Sequence, residues 1–201
     1  HWRKGYPYEF SAHVPMVVRW PNTMFPTSRR GRVDNTHIVA LRDIFPTFLD
    51  LAGLNDKVPE HHMLQGSSLL PLLVHNDTTV QSWRPWLDLE HTTCYNVTNH
   101  WNALSDGTMK YVFKAFSATE QLFNLSDDPL ELRDLSVSPA STLELIKWRG
   151  RMVRQFEAEG RGEAWVKGGK LQPRPKQVYS PHYPGHTGSD RSIYRDRGRG
   201  C

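Results

Sequence analysis

The sequence predicts an α/β chain, α+β in its detail, and three observations carry that prediction. An apolar run, Pro15–Trp20, is followed by a helical stretch, Asp43–Gly53. Residues 101–125 alternate apolar and polar side chains around Asp106-Gly107, as an antiparallel meander does. A helical stretch over Pro139–Glu159 then has the length and the apolar side to pack across one face of such a sheet. These give a first domain over 1–80, a second of antiparallel strands plus a helix over 81–160, and an extended wrap with a basic tail over 161–201.

The first element is Pro15–Trp20, preceded by the bend Gly5–Pro7 and by Lys4. A lysine at the mouth of a buried strand suits an oxyanion, because the ammonium is a compact charge with three donors on a flexible stem. A solvated loop lysine is the other reading of Lys4. Residues 21–35 are rich in Pro, Ser, Thr and Arg and read as a surface loop. In the helix that follows, Asp43 is the N-cap and Pro46 lies in the first turn, where its missing donor costs little. Ile44, Phe45, Phe48, Leu49, Leu51 and Ala52 supply its apolar stripe, and Gly53 takes the C′ position. His61-His62 invites a metal reading, but adjacent histidine side chains diverge and rarely share one ion.

In the second domain Leu87-Asp88-Leu89-Glu90 alternates as a strand. Trp101–Leu104 and Met109–Phe116 form a hairpin across Asp106-Gly107, with Met109, Tyr111, Phe113 and Ala115 as the core face. A third strand, Gln121–Leu125, returns beside them. The helix follows, with Pro139 at N1 or a competing capping box of Ser141 with Glu144 as its start, and with Leu143, Leu145, Ile146, Met152, Val153 and Phe156 inward, Trp148 near the edge. Beyond Gly160 the chain is rich in Gly, Pro, Lys and Arg and reads as a wrap and a loose tail.

Composition narrows the function. The chain has 201 residues and a formal net charge of +4. It is long enough for a domain with a real core. It opens on His1 with no signal peptide or transmembrane run, and reads as a fragment or a processed chain. No membrane partner is expected. The arginines of 191–199 alternate with acids and glycine and carry no nucleic-acid motif, so a solvated tail is expected and no nucleic-acid partner. Two cysteines, Cys94 and Cys201, specify no disulfide framework. The triplets at Asn76, Asn96 and Asn124 are glycosylation sequons, the last inside a predicted strand.

Four runs share one resemblance. They are Lys4-Gly5, Tyr8-Glu9 and Val14-Pro15 before Trp20-Pro21; Asp43, Pro46-Thr47 and Gly53; Gly66 with Ser68-Leu69-Leu70-Pro71-Leu72-Leu73; and the long series Asp106-Gly107, Lys110-Tyr111, Glu120 to Leu125, Asp128-Pro129, Glu131 and Asp134-Leu135. In that order they resemble the C-terminal portion of the sulfatase family, arylsulfatase-like members of the alkaline-phosphatase superfamily. Two positions depart from the pattern: Gln65 stands for an aspartate, and His13 for the arginine of many members.

The resemblance implies a sulfuric ester hydrolase. Residues 1–80 would be the end of the large sulfatase α/β domain, and the small antiparallel sheet with its long helix the C-terminal subdomain. The substrate would be an aryl or carbohydrate sulfate, attacked by a formylglycine beside Ca²⁺. Neither the formylglycine motif nor the family's metal carboxylates occur here, so the chain alone is expected to be inactive, its partner being the missing N-terminal part of the same enzyme. Lys4 matches the family's sulfate-contacting lysine. His91, His100 and Trp101, at strand edges, are candidates for the substrate rim. The resemblance also implies a lysosomal or extracellular secretory protein, periplasmic if bacterial, with Asn76 and Asn96 as glycosylation candidates. A phosphonate or phosphate ester hydrolase of the same superfamily and a non-catalytic binding module are the alternatives.

Overall fold

The structure is a computed structural model and describes residues 5–21, 31–54, 57, 66–74, 83–91 and 98–175. Lys4, His61-His62, Asn76 and Asn96 therefore lie outside the described residues. Two compact units divide the chain: one spans Met16–Leu87, and the other joins the residues up to Pro15 with those from Asp88 onward.

The Met16–Leu87 unit is built on a buried carboxylate. A 3₁₀ turn, Leu41–Asp43, leads into α2, Ile44–Leu51, and α3 is Leu70–Val74. Asp43 stands at the N-cap position of α2 but does not cap that helix with its side chain. Instead Oδ2 accepts the Ala40 N–H at 2.7 Å, while Oδ1 accepts the Ser67 N–H at 2.9 Å and the Arg84 guanidinium. One turn on, the Thr47 hydroxyl donates to the Asp43 carbonyl at 2.5 Å and accepts the Leu69 N–H at 2.8 Å. Asp50 takes a hydrogen bond from Ser68 at 2.6 Å. The spacing i, i+4, i+7 puts these three polar residues on one face of the helix.

That polar face is the inward one, which corrects the expected apolar stripe. Phe45 and Phe48 are exposed, the latter at 66%. The inward face is set by hydrogen bonds to the 66–69 segment, whose backbone donors need partners. Pro15–Trp20 is likewise no strand: its residues carry no ladder, and Val17 is exposed. A strand exists only by pairing, and among the described residues no neighbour pairs with it. An open groove of about 660 Å³ lies in this unit, with Met16, Val18, Trp20, Val33, Leu69 and Leu72 in its walls.

The second unit holds a four-stranded sheet covered on both faces, in which β2, β3 and β4 form an antiparallel meander. The strands are β1 Leu87–His91, β2 Trp101–Ser105, β3 Met109–Lys114 and β4 Thr119–Asn124, in the order β1-β2-β3-β4. The register sets Ala103 opposite Val112 and Val112 opposite Gln121. Asp106 closes the predicted hairpin, its Oδ1 accepting the N–H groups of Thr108 and Met109. The long helix, α4, is Thr142–Ala158, entered through a 3₁₀ turn at Pro139–Ser141. Met152, Val153 and Phe156 are buried as expected, but Trp148 is wholly buried while Leu143 is 82% exposed. The helix thus meets the sheet about one turn later than its apolar pattern implied. A short hairpin, β5 Val166–Lys167 and β6 Lys170–Leu171, follows.

The opposite face of the sheet was expected to be the outer one. It holds Trp101, Ala103, Lys110, Val112 and Phe123, all buried. A short helix, α1 Glu9–Ala12, and the turn before it cover this face, with Tyr8 packed edge-on to Phe123 at 6.0 Å. The sequon at Asn124 lies at the end of β4, where the side chain is spent on a turn: its oxygen accepts the Ser126 N–H at 3.0 Å and its amide donates to Asp127 at 2.8 Å.

Gly66 tests the packing of the first unit. A Cβ placed there would lie 2.2 Å from the Arg42 carbonyl oxygen and 3.1 Å from Pro46. Gly66→Ala is expected to cost about 1–3 kcal/mol, the range of an overpacked core, read as a lower urea midpoint for this unit. An unchanged midpoint would show that the 66–69 segment does not dock as described.

Candidate functional site

The covered sheet face brings distant charges together. Lys110 is inward-pointing on β3 with no solvent exposure. Its ammonium lies 2.6 Å from Glu9 Oε1 and 2.9 Å from Glu131 Oε1. The second oxygen of Glu131 accepts the Glu9 N–H at 2.6 Å, and the second oxygen of Glu9 meets His13 Nδ1 at 2.7 Å. Glu131 holds φ +54, a left-handed conformation unusual for a side-chain-bearing residue. The strain is tolerated because both its oxygens are engaged. Tyr8 adds a further tie, its hydroxyl donating to Gln121 at 3.1 Å.

These ties anchor the turn that begins at Gly5. The Ser11 hydroxyl oxygen accepts the N–H groups of Gly5 and Tyr6 at 3.0 and 3.2 Å. The Gly5 carbonyl accepts two donors from across the unit, Asn99 Nδ2 at 2.9 Å and Trp101 Nε1 at 2.8 Å. Gly5 has φ +105, and a Cβ there would stand 3.1 Å from His91 Nε2. Only glycine meets both demands without strain.

His91 completes the cluster. Its ring stacks on Trp101, centroids 5.8 Å apart and planes 10° apart. Its Nδ1 donates to the Asn99 carbonyl at 2.9 Å. That bond selects the tautomer with a proton on Nδ1, so Nε2, on the Gly5 side, carries a lone pair. Such a nitrogen accepts a hydrogen bond or a proton.

The structure brings His91 and Trp101 together and sends His100 elsewhere. Strand alternation turns His100 to the α4 side of the sheet, where it is buried edge-on to Trp165 at 6.2 Å. Burial, then the neighbouring Arg174, then His91 push its pKa down to about 4. Arg174 lies 3.8 Å over the Trp165 ring, donates to Asn102, and is itself pushed down to about 10 by burial. Trp101 is buried with its indole N–H on Gly5. Asn99, Ser11 and the Glu9–Lys110–Glu131 set were not read as site residues. Lys110 carried the available signal, a charged residue at an alternating strand position whose neighbours are core. Among the described residues no three His, Cys, Asp or Glu side chains cluster to hold a metal ion. The two glutamates that do meet already share Lys110, so the described residues do not fit a Ca²⁺ site.

A family model described as N-sulphoglucosamine sulphohydrolase, C-terminal, matches residues 1–156. An arylsulfatase of Clostridium perfringens is 32% identical over 169 residues, covering 84% of this chain and 32% of that protein. Human arylsulfatase K is 37% identical over 144 residues, covering 65% of this chain and 23% of that protein. This chain therefore spans a third or less of the length of these relatives. A solved structure in complex with its substrate D-glucosamine-2-N,6-O-disulfate shares the fold at TM-score 0.52 and 19% identity, over 60% of this chain and 24% of that one.

Two substitutions separate the two faces of the sheet. Lys110→Met leaves Glu9 and Glu131 facing each other, and is expected to cost about 3–5 kcal/mol in denaturant unfolding. Adding Glu9→Gln and Glu131→Gln to it should recover part of that loss; a triple variant no more stable than Lys110→Met would show that repulsion between the carboxylates is not the cause. His100 has the opposite signature. Its folded pKa lies below the unfolded value, so its contribution is complete above about pH 6.5 and is lost as pH falls towards 4. His100→Phe is expected to flatten the stability profile between pH 4 and 6.5. A profile as steep as that of the unsubstituted chain would exclude His100 as its source.

Proposed function

This chain belongs to the sulfatase family, through the region its N-sulphoglucosamine sulphohydrolase C-terminal model describes, and from that premise we propose that it is the C-terminal part of a sulfuric ester hydrolase acting on a sulfated aryl or carbohydrate substrate. The observation that carries the reading is the anchored turn at Gly5. The residue bonded to it is Lys4, and a lysine that must meet a sulfate needs a backbone fixed against the sheet. In this reading Lys4 contacts the sulfate, where an ammonium stabilises charge building on the bridging oxygen in a water-poor site. In this reading His91 stands at the substrate rim and its Nε2 accepts a hydrogen bond from a substrate hydroxyl. Trp101 supports that rim by stacking on His91, and His100 supports it from the other side of the sheet. The sulfated-sugar complex of the fold neighbour agrees with this substrate class.

Formylglycine and a divalent cation, Ca²⁺ in the usual case, supply the attack on sulfur in this family. The described residues do not fit the cation. The exposed Phe45 and Phe48 and the open groove beside Met16 and Leu72 suit packing against further parts of a longer sulfatase. A secretory location, with glycosylation at Asn76 and Asn96, belongs to the same proposal.

The test is Lys4→Ala in the full-length sulfatase. It should lower kcat/KM on an aryl sulfate by roughly two to three orders of magnitude, with the melting temperature unchanged. Lys4→Arg should restore only part, because a planar fork does not replace a point charge. Retention of most of kcat/KM by Lys4→Ala would remove the sulfate-contact assignment.

A further inference from the structure

The chain after α4 wraps back over the α4 side of the sheet, and a buried imidazole lies beneath it. The backbone of this wrap, residues 161–175, is tied down near both ends. The Arg161 N–H donates to the Phe156 carbonyl at 3.1 Å, and the Arg174 N–H to the Ala115 carbonyl at 2.6 Å. Side chains hold the rest. Arg161 donates to Glu90 and to Glu159, and its guanidinium lies 4.7 Å from the Phe156 ring and 4.4 Å from the Trp165 ring. Arg174 lies over the other contact of Trp165 and donates to Asn102. His100, 1% exposed, meets Trp165 edge-on. Among the described residues neither of its ring nitrogens has a hydrogen-bond partner, and the buried Nε of Arg174 has none either.

Such a place suits a neutral imidazole and not an imidazolium, because a buried charge needs a partner. The charged and titratable groups around this corner do not supply one. Arg174 and Arg161 come from the wrap and are cations. Glu90 of β1 and Glu159 beyond α4 are both engaged by Arg161. His91 of β1 brings no anion, and Lys167 of β5 pairs with Glu163 in solvent. A proton on His100 therefore adds a cation where the acids are already taken, and only water can solvate it. We propose that the wrap is an acid-sensitive clasp: with His100 neutral, Trp165 and Arg174 stay seated on the sheet, and protonation of His100 releases residues 161–175 while the meander stays folded. The clasp is independent of the substrate reading. Its sign follows from the proton's preference. Burial, then Arg174, then His91 hold the closed-state pKa of His100 at about 4, against 6.5 for an exposed imidazole. The open form thus binds the proton more tightly, and opening grows as pH falls from about 6.5 towards 4. The release is local because the β2-β3-β4 ladder takes no hydrogen bond from the wrap.

The experiment is amide hydrogen exchange of the full-length sulfatase, read by mass spectrometry at about pH 7.5 and about pH 5. Rates are divided by the intrinsic rate at each pH, so that protection reports the closed-to-open ratio. Protection over 162–174 should fall by about tenfold or more from the higher pH to the lower, while that of 109–114 in β3 changes by less than about twofold. His100→Phe keeps an aromatic edge against Trp165 and cannot take a proton. Its wrap should be equally protected at both pH values. Glu90→Gln removes a partner of Arg161, and should lower protection at both pH values while keeping the ratio between them. Equal protection of the unsubstituted wrap at both pH values would overturn the clasp. So would an equal loss in 109–114, which is global unfolding, or a pH-dependent loss that survives in His100→Phe. If His100→Phe does not fold, the slow exchange of the His100 ring C–H in the unsubstituted protein reads its titration directly. A shared midpoint for that titration and for the wrap's loss of protection supports the clasp, and separate midpoints overturn it.

Discussion

The structure of the larger unit depends on one buried cation. Lys110 sits on the middle of a sheet face between Glu9 and Glu131, with no exposure to water. An ammonium there cannot stand alone, since an unpaired charge in a protein interior costs several kcal/mol. The chain must therefore deliver two carboxylates to it, one from 101 residues upstream and one from the loop after β4. Apolar contact, such as Tyr8 against Phe123, supplies attraction but is not directional. The ion set supplies the direction, because three charged groups meet in only one arrangement of α1 on the sheet. With Glu9 fixed, α1 is fixed; with α1 fixed, Ser11 stands where Gly5 and Tyr6 can donate to it.

The parts of the fold that were legible in the sequence are those whose pattern is local. The meander declared itself through alternation and the Asp106-Gly107 turn, and the long helix through its period, although it starts at Thr142 and Pro139 opens the 3₁₀ turn before it. What misled was the side on which a pattern is buried. In α2 the expected inward face was the apolar one, yet Asp43, Thr47 and Asp50 turn inward because the backbone donors of Ser67 and Leu69 and the Ser68 hydroxyl need them. Local periodicity records which residues share a face, and a partner distant in sequence decides which face is covered. Pro15–Trp20 shows the same limit. Its composition suits a strand, and no strand forms without a neighbour to pair with.

Of the candidate site, the sequence named His91, His100 and Trp101 as one rim; the structure puts the rings of His91 and Trp101 in contact beside Gly5 and turns His100 to Trp165. Asn99 was invisible because nothing in its surroundings in sequence marks an amide whose acceptor lies 94 residues away. Glu9, Lys110 and Glu131 each lay within the runs that carried the family resemblance. Their common purpose, a single buried ion set, emerges only from the register that turns Lys110 inward.

Residues 99–101 show how one strand edge divides its labour. Asn99 and Trp101 present their donors on one side, to the Gly5 carbonyl, while His100 between them turns to the other, into apolar contact with Trp165. The period of two that makes a strand legible is the same geometry that separates these roles. On the Gly5 side, polar groups share partners: the Gly5 carbonyl takes two donors, and the Ser11 hydroxyl takes two N–H groups. On the α4 side, Met152 and Phe156 pack by apolar contact, and burial and Arg174 push the His100 pKa down. A substitution's consequence along this edge therefore depends on the parity of its position. Odd positions bear on the geometry of the anchored turn, and His100 bears on the stability of the core beneath it.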